Sequence, residues 1–132
     1  MIILNSLNLF VALILLAGCQ ENLNKNLPEK LVGVTLNYKY SGGNEYTVKI
    51  EKEGLSYQFK TGPKPEKWWG PFSNNYMITQ NNEHFVAWHE PGYGDYITLL
   101  INFESKVLYG SGIIGGKNIH FQKAKIAEVI VR

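Results

Sequence analysis

Apolar and polar residues alternate along most of the chain beyond residue 30. The segment Val34–Tyr40 reads Val-Thr-Leu-Asn-Tyr-Lys-Tyr, and the same period of two recurs in Tyr46–Ile50 and Leu55–Phe59. A period of two places successive side chains on opposite faces of a β-strand. We therefore predict strands in these segments and in 68–79, 84–88, 96–103, 107–114 and a last stretch that ends at Val131.

Short polar and glycine-rich segments separate the predicted strands, and no amphipathic helix is predicted after residue 30. Ser41-Gly42-Gly43-Asn44 and Gly115-Gly116-Lys117-Asn118 are typical of turns between adjacent strands. Sequential hairpins without long crossovers indicate an all-β, antiparallel, up-and-down fold of seven or eight strands. Such strands form either a sandwich or a single barrel, and we favour the barrel because closure removes exposed edges.

The chain begins with an apolar run that leads into its only cysteine. Leu9–Gly18 carries no charge, is too short to span a bilayer, and ends in Leu16-Ala17-Gly18-Cys19. This tetrapeptide resembles the lipobox of bacterial lipoproteins. The resemblance implies that residues 1–18 are a cleaved lipoprotein signal peptide and that Cys19 is lipidated, so that the membrane is a partner. The alternative is a buried thiol in an ordinary helix.

The segment after Cys19 argues against a continuing helix. Residues 19–30 are polar, rich in asparagine and contain Pro28, so we predict a tether between the membrane and the folded domain. The expected location is the cell envelope. Gln20, and not an aspartate, follows the cysteine, which implies the outer membrane if the source is a Gram-negative bacterium.

Composition narrows the function classes. Removing the signal peptide and tether from 132 residues leaves one domain, residues 31–132, of typical size. The net charge of +2 is too small for a nucleic-acid footprint, so no nucleic-acid partner is predicted. One cysteine cannot form an intramolecular disulfide, and 8 Tyr, 6 Phe and 3 Trp supply the apolar area for a core instead. The sequence does not predict an oligomeric state.

The chain carries no metal or cofactor signature. His84, His89 and His120 have no second histidine or cysteine at ligand spacing, so no metal site is predicted. Gly110-Ser111-Gly112 falls inside a predicted strand and not before a helix, so it is not a phosphate-binding loop. We predict no cofactor.

The segment Phe85–Tyr96 is the densest in residues suited to chemistry. It can be a simple hairpin, with a turn at Pro91-Gly92. However, Trp88 and Glu90 are two residues apart and therefore share one strand face. A carboxylate on the inner face of a barrel is costly to bury unless it is paired, and such groups tend to have raised pKa values and functional roles.

Several short motifs in this region resemble those of a known family. Trp88-His89-Glu90-Pro91, Gly94-Asp95 and Lys106-Val107-Leu108-Tyr109-Gly110 resemble the central hairpins of bacterial phenolic acid decarboxylases and of the related MoaF-like proteins. Tyr38-Lys39-Tyr40 falls where those enzymes have a Tyr-x-Tyr pair, and Tyr57 to Gly62 falls on another of their segments. The resemblance implies that residues 31–132 form a calycin-like (lipocalin-like) barrel.

The resemblance also implies roles for individual residues. In the decarboxylases a tyrosine pair, helped by an arginine, holds the carboxylate of a para-hydroxycinnamic acid while a glutamate handles the proton. Tyr38, Tyr40 and Glu90 match the tyrosines and the glutamate, whereas Lys67 stands at the position of the arginine and cannot form its planar, bidentate contact. The tyrosines could instead be barrel filling, and Lys67 a solvated loop charge.

Three functions follow from these patterns. The favoured one is a lipid-anchored calycin-like barrel that binds a small aromatic or apolar ligand without catalysis. The alternatives are an enzyme acting on phenolic acids and a structural envelope lipoprotein with a filled barrel. For the favoured function we predict a site made of six residues, namely Tyr38, Tyr40, Tyr57, Lys67, Trp88 and Glu90.

Overall fold

The computed structural model describes residues 27–132 and folds them into a single antiparallel sheet that curves into a nearly closed barrel. The strands are β1 (Val34–Tyr40), β2 (Glu45–Glu51), β3 (Gly54–Phe59), β4 (Trp69–Phe72), β5 (Asn74–Ile78), β6 (His84–Glu90), β7 (Asp95–Asn102), β8 (Val107–Ile114) and β9 (Asn118–Val131). Within this part of the chain, no helix is long and apolar enough to cross a membrane. The predicted all-β, antiparallel barrel is confirmed.

The sheet order is β4-β3-β2-β1-β9-β8-β7-β6-β5, so every pair of neighbours except β1 and β9 is consecutive along the chain. The first strand pairs with the last, so the sheet is continuous between β1 and β9. The remaining gap lies between β4 and β5. This is the up-and-down arrangement that the short turns indicated.

The predicted number of strands is wrong, because nine form instead of seven or eight. The expected strand at 68–79 is divided at Ser73, and its halves pair with different neighbours, β3 and β6. Gly70 has a φ of +108°, and a Cβ there would lie 2.6 Å from the carbonyl oxygen of Leu55. Pro71 has no N–H to donate to a ladder. The chain therefore bends here and crosses from one edge of the sheet to the other.

Apolar side chains fill one end of the barrel, which we call the closed end. On β1, Val34 and Leu36 are buried and the residues between them are less so, as the period of two predicts. The same parity on the neighbouring strands brings the core together. The closed end contains Leu31, Val34, Leu36, Ile50, Leu55, His84, Val86, Leu99, Ile101, Phe103 and Leu108.

A β-bulge adjusts the long last strand to this core. Tyr38 is paired with Ile126 but Asn37 is paired with Glu128, so one extra residue of β9 stands opposite β1 at this point. The extra residue reverses the parity of β9. As a result Ile126 and Val129 both pack against the core although they are three residues apart.

The chain enters the barrel at the closed end. Pro28 is buried, Leu31 is fully buried, and the backbone N–H of Gly33 donates to the carbonyl of Ile50 at 2.8 Å. The predicted signal peptide, Cys19 and most of the predicted tether lie outside the described residues.

Candidate functional site

The opposite end of the barrel is hollow, and we call this cavity the cup. It has a volume of about 410 Å³, within the range typical of small-molecule pockets. Nine aromatic side chains contribute to its wall. They are Tyr38, Tyr40, Tyr46, Tyr57, Phe59, Trp69, Trp88, Tyr93 and Phe121.

Strand register brings four tyrosines, Tyr38, Tyr40, Tyr46 and Tyr57, into one group that we call the tyrosine cluster. Tyr38 is opposite Tyr46 across β1 and β2, and Tyr46 is opposite Phe59 across β2 and β3. Their ring centroids are 5.3 Å apart for Tyr38 and Tyr40, 5.8 Å for Tyr38 and Tyr46, and 6.1 Å for Tyr46 and Tyr57. Edge-on and offset stacked pairs at these distances are the favourable arrangements of aromatic rings.

Glu90 lies in the wall of the cup with its carboxylate held by two neutral donors. The indole N–H of Trp88 donates to Oε1 at 3.0 Å, and the hydroxyl of Tyr57 donates to Oε2 at 3.1 Å. Glu90 is only 2% exposed. Trp88 reaches it because both residues project from the same face of β6, and Tyr57 reaches it across the barrel from β3.

Burial is the main perturbation of the Glu90 carboxyl and raises its pKa above the ordinary value, while the bonds from Trp88 and Tyr57 lower it. The nearby carboxylate of Asp95 adds a smaller rise. The net pKa shift is upward. Glu90 is therefore a carboxylate whose charge is under-compensated by its surroundings.

The tyrosine hydroxyls keep their protons at neutral pH. Burial raises the pKa of Tyr40 to about 12 and raises the pKa of Tyr38 well above its ordinary value. The pKa of Tyr57 is raised by burial and then by the charge of Glu90, and the pKa of Tyr46 is raised by the same two causes. Each hydroxyl can thus donate one hydrogen bond and accept others.

Glycine at position 110 makes room for one of these hydroxyls. Gly110 lies on β8 opposite Leu99, and its α-carbon faces the cup. A Cβ built there would overlap the hydroxyl of Tyr40 and lie 2.8 Å from the ring atom that carries it. At Gly112, a Cβ would lie 2.8 Å from the side chain of Ile97. The absence of side chains at these two positions therefore leaves room for Tyr40 and Ile97.

Apart from the tyrosines, the ionisable residues in the wall are two carboxylates and one histidine. Among the described residues the wall contains Glu90, Asp95 and His120 but no lysine or arginine. Asp95 accepts a hydrogen bond from the N–H of Gly115 at 2.6 Å. Lys67 is not part of the wall, and its ammonium lies 3.6 Å from the ring centroid of Trp69. The wall thus carries negative and aromatic side chains, while the Lys67 ammonium lies on the ring of Trp69, one of the residues of that wall.

The structure brings together five of the six predicted site residues around the cup, namely Tyr38, Tyr40, Tyr57, Trp88 and Glu90. It does not bring Lys67 into the wall. Sequence reasoning missed Tyr46 and Phe59, although the period of two in their strands put them on the inner face. It also missed Trp69 and Tyr93, which come from irregular or weakly paired segments with no periodic signal.

The three histidines lie in different parts of the barrel. His84 is buried at the closed end, stacked on Tyr76 with centroids 5.9 Å apart, while His89 is exposed and His120 lines the cup. In residues 27–132 no group of three or more His, Cys, Asp or Glu side chains is arranged to hold a metal ion.

Comparison with known proteins supports the fold. No protein-family model matches the chain, and no curated protein matches it. The fold is similar to that of a solved structure described as "Crystal Structure of a putative beta-lactamase from Burkholderia vietnamiensis", with a TM-score of 0.66 and 14% identity. The match covers 78% of this chain and 97% of that one. At this identity the likeness shows a shared fold and nothing about activity.

Proposed function

We propose that this protein is a lipid-anchored lipoprotein of the cell envelope whose calycin-like barrel binds a small aromatic or apolar ligand in the cup without chemical change. The observation that carries the proposal is the cup itself, a cavity of about 410 Å³ walled by aromatic rings with a few convergent polar groups. Pockets of this composition are the usual form of small-molecule sites.

The division of the barrel into a filled half and a hollow half favours binding over a purely structural role. Small barrels of about eight strands are just filled by side chains or hold one small ligand. Here side chains fill the closed end, whereas the other end holds a cavity of about 410 Å³. A structural barrel needs no such cavity.

The place where the chain enters the barrel suits a membrane anchor. Pro28 and Leu31 pack at the closed end, and β1 then runs from Val34 at that end to Tyr40 at the cup. Seven strand residues rise roughly 20 Å. A lipid on Cys19 would hold the closed end of the barrel toward the membrane. The cup at the other end would then be free to receive a ligand from solution.

Calorimetric titration with 2-naphthol tests the binding function. We expect saturable, single-site binding by the full protein in phosphatidylcholine nanodiscs after subtraction of empty nanodiscs. Ile97→Trp should weaken binding by about tenfold or more, because the larger side chain occupies the cup. Ile113→Trp is the matched control, since Ile113 is 41% exposed and lies outside the cup. Equal binding by both variants would contradict the proposal.

A substitution at the predicted lipidation site tests the anchor. Cys19→Ser removes the thiol that would accept the lipid, so we expect an uncleaved precursor that takes up no labelled fatty acid. The wild-type protein should partition into the detergent phase after Triton X-114 extraction. If the Cys19→Ser protein were processed and fractionated like the wild type, the anchor would have to be abandoned.

A second candidate function is decarboxylation of phenolic acids, which the presence of Tyr38, Tyr40 and Glu90 in one wall favours. The absence of lysine and arginine from the described wall argues against it, because a substrate carboxylate would face Glu90 and Asp95 without a compensating cation. We expect no 4-vinylphenol when the protein is incubated with para-coumaric acid. Rapid turnover that Glu90→Gln abolishes would establish the enzyme instead.

A further inference from the structure

We propose that the ligand of the cup carries a protonated amine on an aromatic body, with the ammonium group beside Glu90 and against the rings of the tyrosine cluster. This inference rests on the proposed binding function and specifies the charge of the ligand. It is opposite to the carboxylate ligand that the resemblance to the decarboxylases implies.

The first support is the sign of the charges in the wall. Glu90 and Asp95 both line the cup, and no described lysine or arginine does. The described ion pairs lie elsewhere, between Lys39 and Glu45, Lys49 and Glu51, and Lys60 and Glu66. Lys67 contacts the ring of Trp69 but does not itself line the cup, so the charged side chains that an anionic ligand would meet there have its own sign, and those that a cation would meet have the opposite sign.

The second support is the state of Glu90. It is 2% exposed, yet its carboxylate is bonded only by the neutral donors Trp88 and Tyr57. A buried carboxylate without a counter-ion is costly. Each oxygen accepts one bond in this structure and has capacity for another. An ammonium group supplies both the missing counter-ion and the additional donors.

The third support is the aromatic surface around that carboxylate. Tyr46 contacts Tyr38, Tyr40 and Tyr57 with centroid distances of 5.8, 5.8 and 6.1 Å. All four tyrosines line the cup, and a cation within about 6 Å of a ring centroid is attracted by the negative face of the ring. The apolar body of the ligand would then lie against Trp88 and Ile97 in the same wall.

The experiment compares three phenols that share a 4-ethylphenol skeleton and differ in the group at the end of its short chain. Tyramine carries an ammonium group, 4-ethylphenol lacks it, and 3-(4-hydroxyphenyl)propionate carries a carboxylate. We expect the full protein in phosphatidylcholine nanodiscs to bind tyramine about tenfold or more tightly than 4-ethylphenol, and the propionate most weakly. Calorimetric titration at neutral pH gives the three dissociation constants.

Two glutamate variants separate the charge of Glu90 from the overall charge of the protein. Glu90→Gln should reduce the preference for tyramine over 4-ethylphenol to about threefold or less, with little change in the affinity for 4-ethylphenol. Glu104→Gln removes the same charge from an exposed turn outside the cup and should leave the preference unchanged.

The outcomes distinguish this inference from the binding function on which it rests. If 4-ethylphenol bound as tightly as tyramine, the cup would remain a ligand site but its proposed preference for a cation would be wrong. Preference for the propionate would overturn the inference in the same way. If none of tyramine, 4-ethylphenol and 2-naphthol bound saturably, the proposed binding function would be wrong as well.

Discussion

The hydroxyl of Tyr40 occupies the space in which any residue larger than glycine at position 110 would place its Cβ. The two residues are on different strands, β1 and β8, with β9 between them. Their contact therefore crosses the inside of the barrel. It ties the orientation of one cup tyrosine to the absence of a side chain on a strand two positions away in the sheet.

Gly110→Ala should displace Tyr40 and narrow the cup. Overpacking of this kind costs about 1 to 3 kcal/mol of unfolding free energy, and we expect a loss in that range by chemical denaturation. In the background of Tyr40→Phe the loss should be smaller, because the hydroxyl is the atom that the new Cβ meets first.

Gly92→Ala is the control for this prediction, since a Cβ at Gly92 meets nothing within 4 Å. It should change the unfolding free energy by no more than about 0.5 kcal/mol. Equal effects of Gly110→Ala with and without the Tyr40 hydroxyl would show that the two residues are not coupled.

Glu90→Gln should raise the unfolding free energy relative to the wild type, and this gain should be larger at neutral pH than at acid pH. The folded protein raises the Glu90 pKa from its ordinary value of 4.5, so the folded state holds this proton more tightly than the unfolded state. Ionisation of Glu90 therefore lowers wild-type stability as pH rises from about 4 through the raised pKa. Glutamine avoids that loss.

The measurement is the difference in unfolding free energy between Glu90→Gln and wild type across pH 4 to 7, which should grow toward neutral pH. Glu104→Gln is the exposed counterpart of this substitution. A difference that shrank toward neutral pH would mean that the Glu90 carboxylate is stabilised, and not penalised, by its site.

Tyr57→Phe should lower the unfolding free energy at pH 7 by about 1 to 2 kcal/mol, because it removes one of the two donors to the Glu90 carboxylate. The loss should be smaller at low pH, where the carboxyl is neutral and the bond is weaker. Tyr96→Phe, on an exposed residue of β7, should have almost no effect. A loss independent of pH would indicate that packing, and not the bond to a charge, accounts for the effect.

His84 should make the closed end sensitive to acid. Burial lowers the pKa of His84 from its ordinary value of 6.5, and its Nδ1 is buried without a hydrogen-bond partner. The unfolded state therefore binds this proton more readily than the folded state. Stability from neutral His84 is complete above about pH 7 and is lost as pH falls through 6.5 toward the lowered pKa.

His84→Phe should be less stable than wild type at pH 7.5 by about 1 kcal/mol, because the larger ring must fit among the buried side chains of the closed end. The difference in unfolding free energy between the two proteins should narrow or reverse at pH 5, because only the wild type must protonate a buried imidazole there. Thermal or denaturant unfolding at the two pH values measures it. His89→Phe, which removes an exposed histidine, is the control. A gap that widened in acid would contradict the prediction.

The sequence alone was sufficient for most strands and for the shared faces of the residues in the cup. Alternation with a period of two is a local property, so Tyr38 and Tyr40, and likewise Trp88 and Glu90, were placed on common faces without knowledge of the fold. The same reasoning extended to Tyr46 would have added it to the predicted site.

Tertiary structure decided everything that depends on how the strands meet. The strand breaks at Ser73 because its two halves pair with different neighbours, β3 and β6, which no local pattern reveals. The position of Lys67 outside the wall is set by a loop with no periodicity, and the room for Tyr40 is set by a glycine on a strand that is far away along the chain. Periodicity determines the face of a side chain, whereas register, closure and loop paths determine its neighbours, and only the neighbours make a cavity.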